Sequence, residues 1–233
     1  MRWKTVSLLL AIAYPMLTHI AIASGSAPLT IASVILLAVL SLAPGLMRRS
    51  WVAWLAIPLV MGFILLLIHL DMPSLPLYGP PILITGFTAW LFGHTLAPGS
   101  TPLIEQFARL MRPPDQELEP AIVVHARRVT VVWTVLLATL SVLNLLLALV
   151  AVPAGILVSV GIHPPFQVTQ TVWSLFANVL NYVILVGLFV GEYAYRRFRF
   201  PNLPYTGMID FLRRAANLRP WNRAEQRRLS GRR

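Results

Sequence analysis

The sequence predicts an all-α polytopic membrane protein: six transmembrane helices, both termini cytoplasmic, and a cytoplasmic amphipathic helix between spans four and five. Three observations carry that expectation. The 233-residue chain is 57% hydrophobic and 12% charged, with a mean hydropathy of +0.72, whereas soluble domains are about 25% charged. Six apolar runs come close to the ~20 residues that cross ~30 Å of hydrocarbon. They fall at about 5–23, 28–46, 51–70, 77–97, 128–152 and 169–192. Every Lys and Arg lies in alternate connections, which the positive-inside rule assigns to the cytoplasm.

The first span follows Arg2 and Lys4. Those cations, the apolar run and Ala21-Ile22-Ala23 before Ser24 also have the outline of a cleaved signal peptide. Tyr14, Pro15 and His19 interrupt that run, which favours a retained span. The second span ends at Ala43-Pro44-Gly45, ahead of Arg48 and Arg49. Pro58 in the third and Pro80 and Pro81 in the fourth suit membrane helices, where neighbouring groups satisfy the freed backbone. The connections near Ser24–Ala27, Asp71–Pro76 and Gly161–Val168 contain no cation.

The connector after span four changes character. Thr101 is placed to cap a helix opening at Pro102, with Leu103, Phe107, Leu110 and Met111 at i, i+4, i+7 and i+8 on one apolar stripe. Glu105 and Arg109 stand four apart in the favourable order, worth about 0.2–0.5 kcal/mol if exposed. An interfacial helix over about 101–112 would lie flat on the membrane, as a structural elbow or as a working surface. Pro113-Pro114 end it, and Asp115, Glu117 and Glu119 form an acidic linker.

Val129 to Ile162 is too long for one crossing, and Pro153 and Gly155 are expected to end the fifth helix. Residues 156–167 then form an apolar outer loop or a short re-entrant piece. Beyond the 1–195 membrane domain, the 196–233 tail carries eleven Arg with Asp210 and Glu225 as its only acids. Phe211, Leu212, Ala215 and Leu218 could place an apolar stripe beside Arg213, Arg214 and Arg219. Anionic lipid headgroups are the expected partner; no nucleic-acid motif accompanies the charge.

Ionisable and amide groups at membrane depth are functional candidates. His94 and Glu105 are candidates for an acid–base pair at the inner rim. Arg109, Arg112, Asn178, Asn181, Glu192, Arg196 and Arg197 are candidates for binding lipid or partner groups. Asn178 and Asn181 share a helical face and could equally glue helices together. Glu192 stands one turn before Arg196 and is expected to pair with it. Asn144, Tyr14 and Tyr182 lie at intermediate depth. His19 and His69 lack any metal-ligand spacing, and neither a metal nor a cofactor is expected. The chain has no cysteine, which excludes disulfides, thiolate metal sites and cysteine nucleophiles. Phosphate loops, G-x-S-x-G elbows and H-E-x-x-H are also missing.

The stretches "LYGPPILITGFTAWLFGHTLAPGSTPLIEQFARLMR", "WSLFANVLNY" and "GEYAYRRFRFP" resemble an uncharacterised family of bacterial inner-membrane proteins. Its members are often encoded among genes for aryl-polyene or xanthomonadin-type pigment synthesis and are sometimes labelled ketosynthase. The resemblance covers most of residues 1–214 and is densest at 77–112 and 173–201. A ketosynthase needs a cysteine nucleophile on a soluble fold, so the label conflicts with the residues. What the resemblance implies is an accessory membrane component for making or handling a polyene or acyl lipid. An acyl carrier protein or pathway enzymes would dock at its basic face. A membrane-embedded acyl- or lipid-modifying enzyme and a small lipid carrier or flippase are the alternatives.

Overall fold

The computed structural model describes residues 2–112, 117–200, 207, 209, 210 and 213, and side chains from residue 9 onward. Helices dominate: α1 (Arg2–Ala23), α2 (Ala27–Met47), α3 (Trp51–His69), α4 (Gly79–Gly93), α5 (Leu103–Leu110) and α6 (Pro120–Val150) come first. Two-residue strand β1 (Ala151–Val152), α7 (Ile156–Ser159), β2 (Val168–Thr169), α8 (Gln170–Leu175) and α9 (Asn181–Arg199) follow. Single 3₁₀ turns at Leu75–Tyr78 and His94–Leu96 flank α4, and a π turn, Phe176–Leu180, joins α8 to α9.

Five helical stretches are long and apolar enough to cross a membrane: Ala27–Met47, Trp51–His69, Leu75–Leu96, Pro120–Val150 and Gln170–Arg199. A shorter apolar helix covers Leu9–Ala23. In the most apolar part of each long stretch only 17% to 22% of the residues are buried. Leu59 is 74% exposed and Trp54 61%. A water-soluble protein rarely shows contiguous apolar surface of that extent, so these side chains fit lipid as their solvent. Hydroxyls along the spans bond back to their own helix, Ser33 Oγ to Leu29 O, Thr88 Oγ1 to Ile84 O and Thr134 Oγ1 to Thr130 O. That leaves no hydroxyl needing water at those positions.

The ends of α2 and α3 match the hydropathy reading closely. Helix α2 runs through Pro44 to Met47, so the Ala43-Pro44-Gly45 segment is helical rather than a break. Ser26 caps its start by accepting from the Leu29 N–H at 3.5 Å. Arg49 and Asp71 adopt positive φ after α2 and α3, the left-handed turn that commonly closes a helix. Two other bounds differ. Helix α6 begins at Pro120 rather than near 128, because His125, Arg127 and Arg128 sit inside a helix that outruns its apolar part. The last span, expected to end near 192, continues as α9 to Arg199.

Contacts divide the chain into two compact units, one of Met1–Thr88 with Leu136–Val186, the other of Ala89–Val135 with Gly187–Arg233. In the first, α1 packs on α2 and on α8 with the π turn, and α2 packs on α3. Its core gathers Tyr14, Ile22, Val34, Ile64, Leu77, Tyr78, Ala148 and Trp173. Trp173 is fully buried, with its ring centroid 4.2 Å from that of Tyr78 and tilted by 54°. Such a pair is worth about 0.5–1.5 kcal/mol beyond its burial. Tyr78 also donates its hydroxyl to Ala154 O at 3.0 Å, which pins the turn after α6.

That turn ends the fifth span as the sequence predicts. The chain leaves the helix at Ala151, and β1 pairs in parallel with β2, Ala151 with Val168 and Val152 with Thr169. Residues 153–167 are thereby closed into a loop containing α7. Gly155 is required here, because a Cβ at that position would overlap the Ala151 carbonyl oxygen.

In the second unit the start of α5 is bonded to the turn after α4 and to the interior of α6. Thr101 does not cap α5. The Leu103 N–H donates to Thr95 Oγ1 at 3.0 Å and the Ile104 N–H to Thr130 Oγ1 at 3.4 Å. Both acceptors are buried, so the orphan donors of the first turn are met from neighbouring elements. Thr101 instead accepts from Gln106 Nε2 through its carbonyl. Glu105 is buried, while Phe107 on the predicted apolar stripe is 40% exposed. Glu105 thus sits toward protein, while Arg109, its side chain 55% exposed, and the Phe107 ring reach away from it.

Candidate functional sites in the two units

Each unit has a cavity with polar groups in its wall. In the first unit, Thr169 caps α8 by accepting from the Val172 N–H, and the helix then widens into the π turn. Such turns insert an extra residue and recur at functional sites. Asn178 lies in the turn and Asn181 opens α9; both are buried. They line a cavity of about 600 Å³ whose other walls include Tyr14 of α1, Leu37, Leu40 and Ser41 of α2, and Ile84 and Thr85 of α4. A largely apolar pocket of this size with a few convergent polar groups is the usual form of a small-molecule site.

The amides make their hydrogen bonds within their own segment. Asn178 Nδ2 donates to Ser174 Oγ at 3.2 Å, and Asn181 Nδ2 to Ala177 O at 3.3 Å. Ser174 Oγ lies 3.2 Å from His19 Nδ1. Since that oxygen already accepts from Asn178, its own hydrogen is available to His19. The result is a chain Asn178–Ser174–His19 linking the π turn, α8 and α1. Asn181 Oδ1 finds no donor among the described residues, and neither do Tyr14 Oη and Thr18 Oγ1. The latter two stand one turn apart on α1, close but without hydrogen-bond alignment. A buried oxygen left unmatched costs about 1–3 kcal/mol, which the packing around these three atoms has to offset.

In the second unit, Glu192 of α9 is the hub. Its Oε1 accepts from Arg196 Nε at 2.8 Å and lies 3.3 Å from His125 Nε2; its Oε2 pairs with Arg196 Nη2. A carboxylate only accepts, so the His125 contact places a proton on Nε2. The imidazole stacks on Tyr195, centroids 5.4 Å apart, and meets Phe200 at 5.5 Å. His125, Arg128, Arg199, Tyr195 and Phe200, with Pro120, Ala121 and Val124, line an open cavity of about 350 Å³.

The expected site residues fall as follows. Glu192 and Arg196 form the predicted pair, and His125, which no local pattern singles out, joins them. Arg197 donates to the Tyr193 hydroxyl at 3.4 Å. Arg109 makes two bonds to Glu105 Oε1, at 2.9 and 2.7 Å. Arg112 follows α5, half-buried. His94 Nδ1 lies 3.1 Å from Trp90 O with its ring stacked on Trp90, while Glu105 is held by Arg109; neither contact joins the two. Asn178 and Asn181 line one cavity, and their own bonds do not cross between spans. Asn144 is fully buried and donates to Leu140 O. His69 is exposed at the end of α3, and no cluster of three metal-ligating side chains occurs among the described residues. The expected tail stripe, including Phe211, Leu212, Ala215 and Leu218, lies outside them.

These features define an all-α membrane protein with at least five helices of spanning length and composition. No protein-family model, curated protein or solved structure matches the chain.

Proposed function

We propose that the chain is a non-catalytic, accessory protein of the bacterial cytoplasmic membrane that holds an acyl lipid, in keeping with a role in polyene or related acyl-lipid synthesis. The observation that carries this reading is the 600 Å³ cavity of the first unit, apolar in most of its wall and lined by Asn178 and Asn181. An acyl or polyene chain suits the apolar wall, and a carbonyl or hydroxyl at its end suits the amides. The resemblance to proteins encoded beside pigment-synthesis genes agrees with that ligand class.

Six crossings with both termini in the cytoplasm complete the proposal. Leu9–Ala23 supplies the additional crossing, and the confinement of Lys and Arg to alternate connections supports the orientation. Arg109, Arg112, Arg196 and Arg197 then share a side with the basic tail, where anionic headgroups or an acidic acyl carrier would dock. An enzyme at the inner rim would require His94 to work with Glu105. Their separate bonds to Trp90 and Arg109 favour the accessory reading.

Native mass spectrometry of protein purified in mild detergent tests the proposal. A retained acyl lipid is expected, and Asn178→Leu with Asn181→Leu should release it while the protein stays folded. Protein that carries no lipid, or a double variant that carries the same lipid, would overturn it.

A further inference from the structure

We infer that the cavity of the second unit is a phosphate-binding site, built to take the phosphate of an amphiphile. The inference rests on the membrane reading above but not on the lipid cavity of the first unit. Charge points to an anion. Glu192, the carboxylate bonded to the lining residue His125, is neutralised by Arg196. Arg128 of α6 and Arg199 of α9 both line the cavity, are exposed, and have no carboxylate partner among the described residues. Two guanidinium forks on different helices suit the several oxygens of a phosphate better than the pair on a carboxylate.

His125 shapes the wall beside these forks. Its Nε2 is committed to Glu192, and stacking on Tyr195 fixes the ring, so its orientation is set before a ligand arrives. The remaining wall is apolar or aromatic: Ala121, Val124, Tyr195 and Phe200. Inorganic phosphate would leave that wall untouched, whereas the glycerol and first methylenes of a phospholipid would cover it. Arg199 lies 5.5 Å from the Phe200 ring centroid, a cation–π distance that keeps its guanidinium near the aromatic wall.

The test uses the full chain in neutral detergent and reads affinity by titration calorimetry. Dihexanoyl phosphatidic acid and inorganic phosphate are the probes, and dihexanoylglycerol is the uncharged control. Saturable binding of a phosphate probe is expected, weakened about tenfold or more in Arg128→Gln/Arg199→Gln and unchanged in Arg48→Gln/Arg49→Gln. Binding of phosphatidic acid alone identifies a lipid headgroup; comparable binding of inorganic phosphate identifies a free phosphate, and both support the site. If the Gln variant is poorly folded, Arg128→Lys/Arg199→Lys keeps the charge and should still weaken binding by loss of the forks. No saturation with either probe, or equal loss in the Arg48/Arg49 control, overturns the inference. The lipid retained by the first unit is unaffected in either case.

Discussion

Glu192 Oε1 lies 3.3 Å from His125 Nε2, joining two helices across 67 residues of chain. The carboxylate is almost buried and is shared with Arg196, so it orders both a cation and an imidazole. Removing one member of such a group leaves its partners facing a poorly solvated wall, which is more costly than the net value of the contact.

Glu192→Ala should therefore destabilise the protein by roughly 3 kcal/mol, seen as a lower thermal midpoint by tryptophan fluorescence in detergent. His125→Ala should cost less. The double variant should cost less than the sum of the two, since one contact is lost in both. Strict additivity would show that the pair is not coupled.

The seating of α5 on two buried hydroxyls gives a second expectation. Thr95→Val and Thr130→Val each remove an acceptor for a first-turn N–H, at about 1 kcal/mol apiece. Hydrogen exchange at the Leu103 amide should quicken in the first variant and at Ile104 in the second. Thr101→Val, which keeps the carbonyl used by Gln106, should leave both rates as they are.

Two glycines of the loop after α6 should differ sharply. Gly155→Ala forces a methyl into the Ala151 carbonyl and should abolish folding or greatly lower the yield of monodisperse protein. Gly161 has positive φ but open space around its Cβ position, so Gly161→Ala should cost only about 1 kcal/mol. Equal behaviour of the two would mean that the parallel pairing of Ala151 with Val168 is absent in the membrane.

The absence of cysteine makes the proposed orientation directly measurable. Asp71→Cys should react with an impermeant maleimide on intact cells. Arg128→Cys should react only after the membrane is opened. The reverse pattern would invert the topology, and labelling of both from outside would remove the six-span arrangement.

Hydropathy located the spans because burial in lipid is a property of the local run: α2 and α3 end within a residue or so of the expected positions. It failed where a helix outruns its apolar part, as at Pro120, since the hydrogen-bonded ladder needs no lipid to continue. Spacing on one helix also read well, giving Glu105 with Arg109 and Glu192 with Arg196. What it could not reach were partners distant in sequence. Thr130 receives the Ile104 N–H from 26 residues away, and His125 reaches Glu192 across 67; neither separation leaves a periodic trace. The burial of Glu105 was missed for the same reason. Asn178 and Asn181 were singled out by chemistry, but the cavity they line is completed by three other helices, α1, α2 and α4.

That widened turn, Phe176–Leu180, also acts as a phase shifter. Winding all five residues as ordinary helix, or adding a sixth, would rotate the residues beyond it by about 100°, carrying Asn181 off the wall it shares with Asn178. Insertions should thus be tolerated poorly in these five positions and far better between Gly161 and Gln167, where no helix has to keep its bearing.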